Sequence, residues 1–281
     1  SKVYDWKERI LLYSTRVEKF KLTDSALLII DMQNYFLDER SHAYVPSSKV
    51  IQQNIIQILN LFRKKKLPII FTYFAVKDNE RDNIRNWWND TVRVGSYESK
   101  IIDKLKPKKD EAVLRKNSYS SFYNTKLERF LKKHNVKNLL ITGMLTNLCC
   151  ETTAREAFVR NFNVFFVMDA TATYNEEMHL FSLINLSYGF ATLFSTEEII
   201  SKEKWYIRKM IYDCAIMGAG PAGIISSIQL KRCGFSVILF EKDQVGGLLR
   251  NANKIENYLG FVNGIFGKEL VSIFLEQLKI F

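Results

Sequence analysis

The sequence predicts an α/β protein with a three-layer, parallel-sheet domain followed by a smaller strand–helix–strand unit. Short runs rich in Val, Ile, Leu and Phe alternate with amphipathic segments up to about residue 200, which is typical of parallel strands buried between crossover helices. The pattern starts again near Tyr212, where a new apolar run enters a glycine-rich turn. We therefore predict two domains, residues 1–205 and 206–281.

The apolar runs predict the elements of both domains in chain order. The strands of the first domain are Ala26–Asp31, Pro68–Tyr73, Glu111–Leu114, Asn138–Thr142, Val164–Met168 and a short one at Ala191–Phe194. Predicted helices include Ile51–Lys65, Lys126–Lys133, Cys149–Arg160 and Glu177–Ser187. In the second domain, strands Cys214–Met217 and Ser236–Phe240 flank a helix. The charged stretch Glu197–Lys209 joins the two domains and lacks the Gly, Ser and Pro content of a flexible linker.

Composition and charge narrow the class of protein. The net charge of +11 over 281 residues would suit nucleic acid or a membrane surface, but the excess lysines are scattered through predicted helices, where solvated faces explain them. No apolar run approaches the roughly 18 residues needed to span a bilayer, and the first residues lack the apolar core of a signal peptide. We therefore expect a soluble, cytoplasmic protein with no nucleic-acid or membrane partner. The four cysteines form no C-x-x-C pair, so we expect reduced thiols rather than disulfides or a zinc site.

Three polar residues follow or end predicted strands of the first domain. Asp31, Lys116 and Cys149 come after different apolar runs, and the carboxyl ends of parallel strands share one crevice. A thiol with its ordinary pKa of about 8.5 needs a base or a positive field to become a nucleophile. Asp31 can accept the proton, while Lys116 and the N-terminus of the helix that starts at Cys149 can stabilise the thiolate. Taken singly, the cysteine suits a buried apolar position, the aspartate a helix cap and the lysine a solvated face.

The segments around these residues resemble the isochorismatase-like cysteine hydrolase family along residues 22–200. The matching motifs are the first strand with its aspartate, Ala26–Phe36, the lysine segment, Leu114–Phe122, and the nucleophile turn with its helix, Thr142–Phe158. Cys149 aligns with the nucleophile, and Cys150 stands where the family usually has a small apolar residue. The resemblance implies a Rossmann-like fold of three layers.

The resemblance also implies a mechanism. Asp31 deprotonates Cys149, the thiolate attacks an amide or ureide carbonyl, and a thioester forms with loss of ammonia or an amine. Water activated by the same aspartate then completes the hydrolysis. The family likeness further implies a cis peptide before Leu145, so that the amides of Leu145 and Cys149 form the oxyanion hole.

Two features indicate which branch of this family the sequence resembles. Nicotinamidase-like members bind a metal through an Asp-x-His pattern, and the spacing of the three histidines, His42, His134 and His179, does not match it, so we expect no metal. The segment Asn86–Asp90 resembles the Trp-containing insert of metal-free members, among them ureidoacrylate amidohydrolases and isochorismatases. True isochorismatases lack the cysteine and cleave a vinyl ether, so Cys149 favours C–N bond cleavage. The candidate pocket residues are Gln33, Trp88, Tyr119 and Phe122, although Trp87 or Trp88 could equally belong to the core.

A second motif opens the second domain. A strand runs into G-x-G-x-x-G and a helix, and an acidic residue stands after the next strand, 23 residues beyond the first glycine, as in dinucleotide-binding folds. Residues 245–249 and 255–261 resemble the flavin-contacting loop of thioredoxin reductase-like flavoproteins, which implies a partial Rossmann βαβ segment that binds FAD. The candidate FAD residues are Gly218, Gly220, Pro221, Ala222, Gly223, Glu241, Gly247 and Asn257.

The flavoprotein resemblance covers only about 70 residues, whereas a complete reductase of this type needs roughly 300 residues in two nucleotide-binding domains. Leu248 stands where that family usually has Gln. Three explanations remain: the segment docks on the hydrolase domain, a second chain completes a split flavoprotein, or the sequence is a fragment. We expect a homo-oligomeric amidohydrolase acting on a small amide or ureide. The alternative is a catalytically silent scaffold subunit of a flavin-dependent oxidoreductase complex, and an oxidoreductase acting through this chain alone is disfavoured.

Overall fold

The structure, a computed structural model, describes residues 2–14, 20–201, 212–278 and 280. Contacts between residues divide the chain into two compact units, Ser1–Trp205 and Tyr206–Phe281. The predicted domain boundary and much of the predicted junction, Glu197–Lys209, fall at 202–211, outside the described residues.

The first unit is built on a six-stranded parallel sheet. Its strands are β1 (Ser25–Ile30), β2 (Ile69–Phe74), β3 (Ala112–Lys116), β4 (Asn138–Met144), β5 (Asn163–Ala172) and β6 (Thr192–Phe194). The strand order is β3-β2-β1-β4-β5-β6, with β1 and β4 at the centre. Every residue of these two strands is buried, as expected of parallel strands that are covered on both faces.

Helices cover both faces of the sheet. They are α1 (Lys2–Leu11), α2 (Asn34–Leu37), α3 (Ser48–Lys65), α4 (Asn83–Trp88), α5 (Leu127–Lys133), α6 (Glu151–Val159), α7 (Glu176–Gly189) and α8 (Thr196–Ile200). Leu27 and Ile29 of β1 pack in the core on the side of α3, and Leu28 and Ile30 pack in the core on the side of α5, α6 and α7. The unit therefore has three layers. In the part of the chain that the structure describes, no helix is long and apolar enough to cross a membrane.

The predicted strands and crossover helices of the first unit are confirmed, with two differences that affect the site. Strand β3 extends to Lys116, so this residue ends the strand instead of following it. The helix predicted from Cys149 begins at Glu151, because Thr146–Cys150 forms a π-helical turn. Cys149 therefore lies in a wider turn that precedes the α-helix.

The second unit contains a pair of parallel strands, β7 (Cys214–Met217) and β8 (Val237–Phe240), joined by α9 (Pro221–Arg232). A 3₁₀ turn (Gly247–Asn251) and a C-terminal helix, α10 (Gly267–Leu278), follow. Its small core consists of Ala219, Ile224, Ile265, Leu270 and Phe274.

Candidate active site

Three side chains from distant parts of the sequence meet at the carboxyl edge of the sheet. Asp31 follows β1, Lys116 ends β3, and Cys149 lies in the turn after β4. The Lys116 Nζ atom is 2.6 Å from Asp31 Oδ2 and 3.2 Å from Cys149 Sγ. All three residues are buried, with at most 5% of each exposed. A charged pair is rarely buried to this extent without a structural or catalytic role.

The conformation of Asp31 is set by the neighbouring strand. Its φ of 49° lies in the left-handed region, which few non-glycine residues adopt. Its backbone N–H donates to the Thr72 carbonyl at 3.1 Å, and the Thr72 hydroxyl donates to Asp31 Oδ1 at 3.0 Å. The second oxygen, Oδ2, accepts no hydrogen bond of good geometry, although the ammonium group lies beside it. That oxygen is the one available to take a proton.

Three groups surround the ammonium of Lys116. Besides its contacts with Asp31 and Cys149, the Nζ atom donates to the Ser118 carbonyl at 2.9 Å. The number of these contacts equals the number of N–H donors of an ammonium group. Burial opposes the charge, but the Asp31 carboxylate and the Cys149 sulfur outweigh it and hold the pKa of Lys116 above its ordinary value. We therefore describe the resting site as a Lys116 ammonium paired with an Asp31 carboxylate.

A tight turn presents Cys149 to this pair. Gly143 has a φ of 114°, and a Cβ there would lie 2.0 Å from the Ile30 carbonyl oxygen, so only glycine lets β4 pass so close to β1. The Met144–Leu145 peptide is cis, as the family resemblance implies. The Cys150 N–H then donates to the Leu145 carbonyl at 3.1 Å. Cys149 thus stands just before the N-terminus of α6.

Burial determines the resting protonation of the two cysteines. It raises the pKa of Cys149 to about 12, and the positive charge of Lys116 offsets only part of this effect. The pKa of Cys150 is raised well above its ordinary value by burial as well, and Cys150 is wholly enclosed in the core. At neutral pH the nucleophile is therefore a thiol that must lose its proton to a neighbouring base during the reaction. All four cysteines are free.

A residue that sequence reasoning treated only as a possible metal ligand supports this turn. His179, on α7, places Nδ1 at 2.9 Å from the hydroxyl of Thr146, the first residue of the π turn. Burial lowers the pKa of His179 to about 4, so the ring is neutral at physiological pH. The sequence signal that could have found it is a histidine on the apolar side of the helix after β5.

A cavity of about 220 Å³ lies next to Cys149. Trp88 and Tyr119, two of the predicted pocket residues, line it, and the Trp88 Nε1–H donates to the Tyr119 hydroxyl at 2.7 Å. Its other lining residues are mainly aromatic or apolar: Tyr35, Phe36, Ala43, Phe74, Ile84, Leu145, Leu148 and Tyr174, together with His42, Asp90 and Thr91. Trp87 is 78% exposed and is therefore not a core residue.

Gln33 and Phe122, the other two predicted pocket residues, are not among the residues that line this cavity. The Gln33 side chain is fully buried; its amide donates to the Phe74 carbonyl at 2.9 Å, and its oxygen accepts from the Phe74 N–H at 2.7 Å. Phe122 packs in the core against Phe162, with ring centroids 6.0 Å apart. Both side chains are therefore engaged in contacts within the protein, Gln33 with Phe74 and Phe122 with Phe162.

The histidines do not converge on a metal site. His42 precedes α3, His134 ends α5, and His179 lies on α7. Within residues 2–14, 20–201, 212–278 and 280, no group of three or more His, Cys, Asp or Glu side chains is placed to hold a metal ion.

In the second unit, the glycine turn leaves open space at a helix N-terminus. A Cβ on Gly218 or Gly220 would meet nothing within 4 Å, whereas a Cβ on Gly223 would lie 1.9 Å from the Gly218 carbonyl oxygen. Gly223 is therefore needed for the helix to pack on the turn, and the other two leave room for a ligand. Pro221 is the first residue of α9, and helix N-termini suit phosphate groups.

The remaining candidate residues of this unit are distributed around the turn. Gly247 stands beside Gly220, since its Cβ position is 3.7 Å from the Gly220 Cα, while Ala222 and Asn257 are exposed. Glu241 has a partner that the sequence did not predict, because its Oε2 accepts from the Ala219 N–H at 2.6 Å. A ribose hydroxyl would have to share this carboxylate with the turn.

Comparison with known proteins places the first unit among hydrolases. A profile of the isochorismatase domain matches residues 25–198. The chain is 39% identical to Nicotinamidase 3 of Arabidopsis thaliana over 192 residues, which is 66% of this chain and 92% of that protein. It is 30% identical to Enterobactin synthase component B of Escherichia coli over 183 residues, 64% of each chain.

Solved structures agree with this placement. The structure is similar to a cysteine hydrolase from Pseudomonas syringae, with a TM-score of 0.63, 25% identity and coverage of 65% of this chain and 93% of that one. It is also similar to N-carbamoylsarcosine amidase from Thermoplasma acidophilum, with a TM-score of 0.58, 25% identity and coverage of 63% and 99%. The profile match ends at residue 198, and the names of these proteins mention no flavin. The flavin prediction has no support from them.

Proposed function

The chain belongs to the isochorismatase family, and we propose that it is a metal-independent cysteine amidohydrolase that cleaves a C–N bond of a small amide or ureide. Cysteine hydrolases of this family act on amides, so the chain is a hydrolase of C–N bonds. The observation that carries the proposal is the buried contact of Lys116 Nζ with both Asp31 and Cys149, at 2.6 and 3.2 Å. An acid–base residue, a cation and a nucleophile are thus next to one another.

In the first half of the proposed reaction, Asp31 takes the proton from Cys149 as the sulfur bonds to the substrate carbonyl carbon. The carbonyl electron pair moves onto oxygen, which accepts hydrogen bonds from the backbone amides of Leu145 and Cys149. Lys116 stabilises the negative charge as that charge moves from the Asp31 carboxylate to the sulfur of Cys149. Fixed donors of this kind stabilise a developing charge more than water does, because they need no reorganisation.

In the second half, the C–N bond breaks and the leaving nitrogen takes the proton from Asp31, so that ammonia or an amine departs and a thioester remains. Asp31 then accepts a proton from a water molecule while the oxygen of that water attacks the thioester carbon. The C–S bond breaks, the sulfur recovers the proton, and the acid is released. One carboxylate thus serves both halves of the reaction.

The proposal predicts different effects of replacing the two adjacent cysteines. Cys149→Ala should abolish hydrolysis of small amides, because no other thiol reaches Lys116 and Asp31. Cys150→Ala is the matched control: it removes a buried thiol of the same size one residue away, so it should keep most of the activity. Turnover of a panel of primary amides and ureides, with mass detection of an acyl adduct on Cys149, measures both effects.

A Cys149→Ala variant as active as the wild type would remove the proposed nucleophile. An adduct found on Cys150 instead of Cys149 would also overturn the assignment.

We also propose that the second unit binds the ADP part of FAD, with Gly218, Gly220 and Gly223 at the pyrophosphate and Glu241 at the ribose. The open glycine turn at the N-terminus of the 12-residue helix α9 supports this proposal. A bound flavin would supply electron or hydride transfer. In the described residues the sheet of this unit has only two strands, and so small a sheet is marginally stable alone. A second chain that completes the flavoprotein therefore forms part of the proposal.

A further inference from the structure

The cavity beside Cys149 carries one acidic side chain and no strongly basic one. Asp90 lies on its wall, and neither lysine nor arginine lines it in the described part of the chain. A substrate carboxylate would therefore lose its hydration without gaining a cationic partner. Burying an unpaired charge in this way costs several kcal/mol.

The cations around the cavity are already paired. Lys116 forms an ion pair with Asp31 and hydrogen bonds with Ser118 and Cys149. A wider outer depression of about 760 Å³ shares Tyr35, His42, Asp90 and Thr91 with the inner cavity. Its two arginines form surface ion pairs, Arg40 with Asp38 at 2.6 Å and Arg93 with Asp78 at 3.2 Å. Neither depression offers a cation without a partner among the described residues.

Asp90 is held as an anion where the inner and outer depressions meet. Partial burial opposes its charge, but hydrogen bonds from the Tyr35 hydroxyl, the Thr91 backbone N–H and His42 hold the pKa of Asp90 below its ordinary value. His42 Nε2 lies 2.9 Å from Asp90 Oδ2, the oxygen that also accepts from Tyr35. A carboxylate has about four acceptor positions, so one remains for a ligand. The side chain is 34% exposed, which leaves it accessible.

From this geometry we infer that Asp90 determines specificity, by selecting amides that carry an N–H donor or a positive charge away from the scissile group. The inference rests on the proposed amidohydrolase function of the same site. Carboxylate-bearing amides and ureides are disfavoured because they would face Asp90, while the nearby arginines are already paired with Asp38 and Asp78. Tyr35 and His42 hold the Asp90 carboxylate in place.

The aromatic walls add a second property of the substrate. Trp88, Tyr119, Phe74 and Tyr174 line the inner cavity, and flat aromatic side chains favour stacked or edge-on contact with another ring. The volume of about 220 Å³ is below that of sites for drug-sized ligands, which begin at roughly 300 Å³. Together with Asp90, these walls and this volume point to a single-ring amide whose ring bears an amino or aminomethyl group.

Three probes of similar shape test the inference: 3-(aminomethyl)benzamide, benzamide and 3-carbamoylbenzoate. The wild type should show a kcat/KM about tenfold higher for the cationic probe than for benzamide, as expected of one charge-assisted hydrogen bond, and lower still for the anionic probe. Asp90→Asn keeps the shape of the side chain, and it should lose the preference for the cationic probe and gain activity on the anionic probe. Asp103→Asn, on the exposed surface, is the matched control and should keep the wild-type order.

Binding separates this inference from the proposed chemistry. Calorimetric titration of Cys149→Ala, with and without Asp90→Asn, measures the same three affinities without turnover. Tighter binding of the cationic probe that depends on Asp90 supports the inference. If the cationic probe binds no more tightly than benzamide, or the order survives Asp90→Asn, the inference is wrong, and hydrolysis of any probe through Cys149 would still support the amidohydrolase. Absence of both hydrolysis and a Cys149 adduct, with the binding order intact, would instead contradict the proposed function alone.

Discussion

For single residues, the site depends on a buried ion pair in which each charge is stabilised by the other. Asp31 and Lys116 have no side-chain exposure, and removing one partner of a buried pair leaves an uncompensated charge. The thiol of Cys149 completes the set of partners for the ammonium. The chemistry and the local stability therefore share the same three side chains.

Replacing the cation should affect stability and activity together. Lys116→Met removes the charge while keeping most of the volume, so we expect a loss of about 3 kcal/mol in the free energy of unfolding and no measurable turnover. Denaturant unfolding and amide hydrolysis measure the two effects.

The double variant Asp31→Asn/Lys116→Met provides the control. It removes both charges, so it should be more stable than Lys116→Met alone while remaining inactive. A Lys116→Met variant as stable as the wild type would contradict a stabilising role for the buried ion pair.

At the scale of elements, the nucleophile turn is held from both sides. Gly143 brings β4 against β1, and His179 of α7 contacts Thr146 at the start of the π turn. The ring of Trp6 lies against His179, with centroids 4.6 Å apart. A turn anchored in this way keeps the Cys149 sulfur within reach of Lys116.

The buried imidazole should make stability depend on pH. Burial lowers the pKa of His179 from 6.5 to about 4, so the unfolded chain binds the proton first as the pH falls. The free energy of unfolding should therefore decrease as the pH drops from about 6.5 to 4, by up to about 3 kcal/mol, and stay constant above this range.

Urea unfolding at several pH values measures this dependence. His179→Asn removes the titrating group and should flatten the slope. Thr146→Val keeps the buried ring and should retain the slope, since burial is the main cause of the shift. A wild-type stability that rises on acidification through this range would contradict the assignment of a buried neutral His179.

At the scale of the whole molecule, two units carry different motifs. The isochorismatase match stops at residue 198, and the glycine turn begins at Gly218. The two units can therefore be tested separately within the intact chain, because a substitution in one turn leaves the residues of the other site unchanged.

Substitution of Gly220 tests the flavin proposal most directly. Since a Cβ there meets nothing within 4 Å, Gly220→Val should fold normally but occupy the space for the pyrophosphate. We expect loss of FAD with full amidohydrolase activity. Glu241→Ala is a weaker test, because it also removes the hydrogen bond to Ala219.

Flavin absorbance and the FAD to protein ratio of the full chain, with and without a co-purifying subunit, measure the effect. Gly189→Val, in the first unit and with equally open surroundings, is the matched control and should retain FAD. If the wild type carries no FAD in any preparation, or Gly220→Val retains it, the second unit is not a flavin site.

The α/β class, the order of the strands along the chain and the candidate set of Asp31, Lys116 and Cys149 could be predicted from the sequence alone. These features are carried by local apolar runs and by short motifs, which depend on neighbours along the chain. The cis peptide at Met144–Leu145 also agrees with what the family resemblance implied.

Which side chains face the cavity could not be predicted from the sequence, because it depends on contacts between distant segments. Gln33 and Phe122 have pocket-like chemistry, but Phe74 and Phe162, distant in sequence, engage them elsewhere. Asp90 and His179 could not be predicted either, because their contacts come from other segments. Asp90 contacts Tyr35 and His42, and His179 contacts Thr146 on another element. The direction of a side chain is set by packing between elements, and a local pattern of residues does not predict that packing.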